Sequence, residues 1–199
     1  MAETLVLASA SSSRRALMEN AGLTFTAVAA QIDERAVEAE MAHRALGPGE
    51  LALELAHAKA KEVSSRFPEA LVIGCDQTMS LGSAVFHKPV DRKEARANLA
   101  QLRGQTHRLN SGVVLVREGR EIWRHLSVAD LLMRDFSDAF LDDYLERCGA
   151  NVMKSVGCYQ LEGIGIQLFE SIHGDYFTIL GLPFLPLLGE LRLLGVVDV

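Results

Sequence analysis

Two apolar runs, Leu5-Val6-Leu7-Ala8 and Leu71-Val72-Ile73-Gly74, show no alternation of apolar and polar positions and stop abruptly at polar residues. A strand covered on both faces has this pattern, as in the parallel sheets of α/β proteins. The first run opens into Ser9-Ala10-Ser11-Ser12-Ser13-Arg14-Arg15, the second into Cys75-Asp76-Gln77-Thr78. Polar residues gathered where buried strands end are expected to face a cleft, the usual place for a site in such a fold.

Around these runs the pattern predicts alternating helices and strands. Ser11 to Ser13 can cap a helix beginning near Arg14, with Ala16, Leu17, Met18 and Ala21 on its inner side and Gly22 closing it. Phe25 to Ala29 reads as a second strand, followed by Asp33-Glu34 and a charged helix from Arg35 to Arg44. Gly47-Pro48-Gly49 is a loop, and Pro48 with Glu50 marks the start of a helix to Ser65, with Leu51, Leu55, Ala58 and Val63 inward and His57, Lys59 and Lys61 on its polar side.

After the central run, Thr78 to Leu81 and Ala84 to Phe86 form a hairpin about Gly82-Ser83. Asp91 to Leu102 is a helix with Ala95, Leu99 and Leu102 inward. Thr106 to Arg117 and Ile122 to Arg134 are long strands joined at Glu118-Gly119-Arg120, and Ser137 caps a helix through Arg147. Gly157 to Glu170 reads as strand and turn, Tyr176 to Leu180 as a short strand, and Leu185 to Leu194 as a last helix. Helices alternate with strands while hairpins interrupt the crossovers, so the expected fold is α/β with a mixed sheet.

Composition narrows the function. The 199 residues suffice for one large domain or two small lobes. The net charge of −6 offers no general basic field, so neither DNA nor RNA is an expected partner, and any affinity for a polyphosphate must come from local cations. Cys75, Cys148 and Cys158 are widely spaced without a CxxC pair, as expected of reduced thiols in a cytoplasmic protein. The N-terminal residues lack the basic and long apolar regions of a signal peptide. Pro183, Pro186, Glu190 and Arg192 interrupt the apolar stretch from Ile179 to Val197, which suits a packed terminal helix and not a membrane span.

The serine-rich turn offers backbone N–H groups, hydroxyls and the positive end of a helix dipole, and Arg14 adds a guanidinium; phosphate oxygens bind well in such a place. A helix cap followed by surface arginines would look the same. It is not a Walker A loop, because the glycines and the Gly-Lys-Ser/Thr end are missing. Asp76 can hold Mg²⁺, take a proton from water, or cap the next turn. Asp33-Glu34 adds carboxylate after another strand. Lys59 and Lys61 stand two apart on one helix, so at least one faces solvent. Lys88 precedes Pro89, which limits its backbone freedom. Together, cations at Arg14, Lys59 and Lys88 and carboxylates at Glu34 and Asp76 make a set suited to phosphoryl transfer to water. No zinc-type HxxxH spacing, GxSxG elbow or GxGxxG turn competes with it.

The chain resembles the Maf family of nucleoside triphosphate pyrophosphatases from Leu5 to Leu187. The likeness lies in Leu7-Ala8-Ser9-Ala10-Ser11 to Arg14; Ile32-Asp33-Glu34; Ala56-His57-Ala58-Lys59-Ala60; Gly74-Cys75-Asp76-Gln77; His87-Lys88-Pro89; Leu102 to His107; Ser111-Gly112-Val113; Gly157 through Gly163; and His173-Gly174-Asp175-Tyr176 to Gly181-Leu182-Pro183. The resemblance implies a single Maf-like domain over residues 1–199, similar to inosine triphosphate pyrophosphatase: an elongated mixed β-sheet flanked by helices, with a cleft between two lobes. It implies hydrolysis of the α–β phosphoanhydride with Mg²⁺, or another divalent cation such as Mn²⁺, in a cytoplasmic homodimer. It gives Asp76 as general base and metal ligand and Glu34 as second metal ligand. It implies that Arg14, Lys59 and Lys88 hold the triphosphate and that Ser9, Ser11, Ser13, Gln77 and Glu162 contact the substrate.

Three departures bear on the base. The family's usual Ser-Pro-Arg-Arg is replaced by Ser11-Ser12-Ser13-Arg14, its Asp-Thr by Asp76-Gln77, and the Gln before its late glycine by Glu162. The last two resemble the branch acting on 7-methyl-GTP more than the branch acting on dTTP and UTP, although Ser13 stands where the former often has an aromatic residue. A carboxylate at 162 can accept from the N1–H and amino edge of guanine and favours the positive methylated ring. A rival expectation is a nucleotide-binding regulator of cell division without turnover; Asp76 argues against it, since without a metal its charge would only oppose phosphate.

Overall fold

A computed structural model describes residues 4–44 and 46–197. The chain forms two compact units: Met1–Gln77, Asn110–Val128 and Asp175–Val199 make the first, Thr78–Leu109 and Ala129–Gly174 the second. The strand order is β2-β1-β3-β5-β6-β7, with β4 paired to β3.

In the first unit, β1 (Thr4–Ala8) lies parallel to both β2 (Thr26–Ala27) and the opening half of β3 (Ala70–Leu81), with Val6 opposite Thr26 and Val72. Alternate residues of β1, β3 and β5 (Thr106–Arg117) feed two cores. Leu5, Leu7, Leu71, Ile73, Cys75, Val113 and Leu115 pack with Met18 of α1 (Ser12–Asn20) and with Leu187 and Leu191 of the last helix, Phe184–Leu193. Val6, Ala8, Val72, Val114 and Val116 pack instead on Ala56, Ala60 and Val63. Both faces are covered, which is why these strands do not alternate.

The helix on that second face is α3 (Pro48–Arg66), reached after α2 (Glu34–Ala42). It turns Ala52, Ala56 and Ala60 inward beside Leu55 and Val63, while Leu51 and Ala58 are only half-buried. Size explains this departure from the expected face. Gly112 of β5 lies against the Ala52 carbonyl, where an added Cβ would come within 2.9 Å, and such close seating needs small residues on the helix.

The second unit holds the β3–β4 hairpin, with Met79 opposite Phe86 of β4 (Ala84–Phe86), and the helices α4 (Arg92–Leu102) and α5 (Asp138–Cys148). Ala95, Leu99 and Leu102 are the buried face of α4, as the spacing predicts. β6 (Arg120–Met133) continues from the first unit into the second, where it pairs antiparallel with β7 (Phe169–His173). Glu118 and Gly119, at φ +51° and +72°, form the tight turn from β5 into β6.

Four expectations need correction. Asp76 does not follow a strand; β3 runs through it into the hairpin. Only Thr26–Ala27 of the 25–29 stretch pairs as a strand. Of the 157–170 stretch only Phe169 and Glu170 lie in a strand, and Ile164–Leu168 forms a short 3-10 turn. Residues Tyr176–Ile179 form a helical turn, α6, because Asp175 caps it by accepting from the Thr178 amide at 3.0 Å. The last helix is therefore α7.

Candidate active site

Alternation along β3 sorts its polar residues. Gly74 and Asp76 face α3; Cys75 and Gln77 face the other side. On α3, Lys59 comes three residues after Ala56 and reaches Asp76. Its ammonium sits between two carboxylates, Oδ1 of Asp76 and Oε1 of Glu34, the latter at 2.7 Å. The side chains of Lys59 and Asp76 are only 13% and 11% exposed, whereas Glu34 at 53% opens to solvent. Glu34 is the first residue of α2, whose N-cap Asp33 accepts from Ala36 N at 3.1 Å.

Burial works against the charge on Lys59, but the charge of Asp76 and the hydrogen bonds to both carboxylates outweigh it and hold the ammonium above its ordinary 10.5. Burial pushes the Asp76 carboxyl above its usual range, and the charges of Lys59 and Arg14 do not cancel that push. Burial also drives the neighbouring Cys75 thiol up to about 11, which leaves it a protonated core residue and no nucleophile.

Arg14 enters from α1. Its Nη1 donates to the Cys75 carbonyl at 3.0 Å and to Ser9 Oγ at 3.3 Å, and its Nε donates to the Gly181 carbonyl at 2.7 Å. Ser11 is the N-cap, its Oγ accepting from the Arg14 amide at 3.4 Å. Ser9 is buried and its Oγ also accepts from Ser11 N at 3.2 Å. Ser13 is exposed in the first turn of α1. The turn thus combines a helix N-terminus, hydroxyls and a fixed guanidinium.

The first unit therefore brings together Ser9, Ser11, Arg14, Glu34, Lys59 and Asp76. Gln77 points away from Asp76, and its amide donates to Ser111 Oγ at 2.8 Å and to the carbonyls of Thr178 and Ile179. Lys88 and Glu162 belong to the second unit; both are exposed, Lys88 just after β4 and Glu162 in the turn before Ile164. Lys61 is exposed, as one of the two lysines had to be. His57 forms a separate pair with Glu121 at 2.7 Å, which Arg124 also grips.

Sequence reasoning gave no role to Ser111, Thr178 or Gly181. Their only signal was membership of the Ser111-Gly112-Val113 and His173 to Pro183 blocks, since a backbone carbonyl that holds an arginine has no residue-type signature.

The donor set fits a hard divalent cation in part. Two carboxylates already converge on one cationic group, that of Lys59. Among the described residues no cluster of three or more His, Cys, Asp or Glu could hold a metal. Mg²⁺ suits such a site, because it is commonly held by one or two carboxylates and completed by water and substrate phosphates.

A strand-borne aspartate paired with a helix lysine, beside an arginine at a serine-rich helix N-terminus, defines a phosphate-handling α/β protein. The family model described as Maf-like protein matches residues 4–194, and the chain belongs to that family. It is 59% identical over 198 residues to a protein of Rhizobium johnstonii named 7-methyl-GTP pyrophosphatase, covering 100% of both chains. A protein of the same name from Rhizobium meliloti is 57% identical, again over 100% of both. A protein of Paramagnetospirillum magneticum named nucleoside triphosphate pyrophosphatase is 52% identical, over 94% of this chain and 96% of its own.

Proposed function

We propose that this protein hydrolyses the α–β phosphoanhydride of a nucleoside triphosphate, 7-methyl-GTP, to the nucleoside monophosphate and pyrophosphate. The observation that carries the reading is the Lys59 ammonium held between Asp76 and Glu34, with Arg14 alongside. The names of the relatives support the reaction class and, with Glu162, the base.

Asp76 takes a proton from the attacking water. A carboxyl raised by burial is better matched to that task near neutral pH than an exposed one. Arg14, Lys59 and the amides opening α1 stabilise negative charge on the phosphate oxygens, and Ser9, Ser11 and Ser13 line the same turn. Lys59 exchanges its carboxylate partners for phosphate as the substrate enters. Lys88 holds the distal phosphates, and Glu162 accepts from the guanine edge. Asp76 and Glu34 would hold Mg²⁺ or Mn²⁺, which when bound draws charge from the anhydride. The three free cysteines suit a reducing cytoplasm, and a homodimer completes the proposal.

The test is a panel of normal and modified nucleoside triphosphates with Mg²⁺, scored separately for pyrophosphate and phosphate. Pyrophosphate release, fastest for 7-methyl-GTP, supports the proposal. Phosphate release places the cut at another bond, and preference for dTTP or UTP overturns the base assignment. Binding without turnover overturns the enzymatic reading.

A further inference from the structure

Glu162 stands on a turn whose foundation is buried. The Gly163 amide donates to the Gln160 carbonyl at 3.2 Å, closing a tight turn that carries Glu162. The Ile166 amide donates to the Gly163 carbonyl at 3.3 Å. The residue before this turn is Tyr159, which is buried although Glu162 is exposed.

Tyr159 is fixed from several directions. A Cβ built on Gly157 would lie 2.2 Å from its ring, and one built on Gly165 would lie 3.0 Å from the Tyr159 Cβ and 2.6 Å from the Gln160 carbonyl oxygen. Glycine at both places lets the chain close this tightly on the tyrosine. The ring meets Phe169 edge to face, with centroids 4.8 Å apart, so the segment that leaves at Tyr159 returns to it at Phe169. The hydroxyl lies 2.8 Å from Nε2 of the buried His107. Ser155 Oγ donates to the Tyr159 carbonyl at 2.6 Å and accepts from its amide at 3.1 Å. Cys158, just before, has φ +59°, uncommon for a residue with a side chain, and its carbonyl accepts from the Tyr144 hydroxyl at 2.9 Å. All these groups lie in the second unit.

We infer that Tyr159 is a positioning residue for base selection: its ring, clamped among Gly157, Gly165 and Phe169, sets the backbone of the turn from Gln160 to Gly163 and so the place of the Glu162 carboxylate. The inference rests on the proposed function for the role of Glu162. Arg14, Lys59 and Lys88, the proposed phosphate ligands, have no part in this anchor. Loosening it must therefore alter the choice of base and leave phosphate binding intact.

The test uses Tyr159→Leu, which removes ring and hydroxyl, Tyr159→Phe, which keeps the ring, Glu162→Gln, and Tyr159→Leu combined with Glu162→Gln. Calorimetry measures the binding of 7-methyl-GMP, UMP and inorganic tripolyphosphate, which has no base, to each full-length protein. In Tyr159→Leu the preference for 7-methyl-GMP over UMP is expected to fall by about tenfold, as in Glu162→Gln, with tripolyphosphate affinity unchanged. The double variant should lose scarcely more than Glu162→Gln alone. Tyr159→Phe should keep most of the preference. Amide hydrogen exchange should quicken across residues 160–165 in Tyr159→Leu and stay unchanged in α3.

An unchanged preference in folded Tyr159→Leu would overturn the inference, as would fully additive losses or an equal loss of tripolyphosphate affinity. Should Tyr159→Leu not fold, Tyr144→Phe, which releases the Cys158 carbonyl, decides by the same readouts. If the unaltered protein does not distinguish the two monophosphates, the base assignment of the proposed function fails, while exchange across residues 160–165 still decides whether Tyr159 fixes the turn. A protein that shows the preference and releases no pyrophosphate fails the proposed reaction and keeps this inference.

Discussion

Gly74 lies directly against the backbone of Ala56: a Cβ built on it would stand 2.1 Å from the Ala56 carbonyl oxygen and 2.7 Å from the Ala60 side chain. This contact sets the distance between β3 and α3. Two residues along the same face of β3 is Asp76, and three residues along α3 is Lys59. The closeness of helix and strand at glycine is what lets a lysine side chain meet that carboxylate.

Gly74→Ala is therefore expected to harm site and fold together. The new methyl meets a carbonyl that cannot swing aside, so α3 must move off the sheet, at a cost of about 1–3 kcal/mol as for other overpacked cores. The denaturant midpoint should fall, and turnover should fall further than the lost folded fraction explains, although no side chain of the site has changed. Full turnover in the folded protein would show that the Lys59–Asp76 spacing is unimportant.

Asp76→Asn removes the base and keeps the shape. Turnover is expected to drop by about 10²–10⁴-fold, the range for loss of a general base, with the thermal midpoint little changed. Lys59→Met separates the electrostatic role from the chemical one. The lysine charge holds the Asp76 pKa down against burial, so its removal lets that pKa rise further. A base works above its pKa, so the acid limb of the kcat/KM profile should move to higher pH, and an unmoved limb would assign that limb to another group.

Glu162→Gln tests the base reading alone. It exchanges a charged acceptor for an amide on an exposed turn remote in sequence from Asp76. The preference for 7-methyl-GTP over UTP should fall by about tenfold, the scale of one charge-assisted hydrogen bond, with the cleaved bond unchanged. An unaltered profile would remove the main support for that branch.

Elements and site were legible in the sequence to different depths. The doubly covered strands declared themselves because β1, β3 and β5 feed two cores by turns and so carry no polar face. The α4 face was legible from spacing because ordinary large apolar residues fill it. The α3 face was legible in part: Leu55 and Val63 turn inward as expected, while close approach at Gly74 and Gly112 selects alanines over the larger Leu51. The Glu34–Lys59–Asp76 group was proposed from residue types and family likeness, but no spacing could say that one ammonium joins two acids. The Gln77 tie was invisible because its acceptors are carbonyls about a hundred positions away, which no residue identity announces.

The second unit carries a buried histidine that predicts how the fold responds to acid. His107 is fully buried, its Nε2 2.8 Å from the Tyr159 hydroxyl and its Nδ1 without a hydrogen-bond partner among the described residues. Burial lowers its pKa from 6.5 to about 4. Between those values the unfolded chain takes up a proton that the folded chain refuses, so stability is full above pH 6.5 and is lost as pH falls toward 4. The loss from this residue approaches about 3 kcal/mol at the lower end, since each unit of difference counts for about 1.4 kcal/mol. Urea unfolding at several pH values across that window should show the decline. In His107→Phe combined with Tyr159→Phe, which removes both polar partners and leaves neither group orphaned, the slope should flatten by that amount. An equal slope in the double variant would mean that other groups take up the proton.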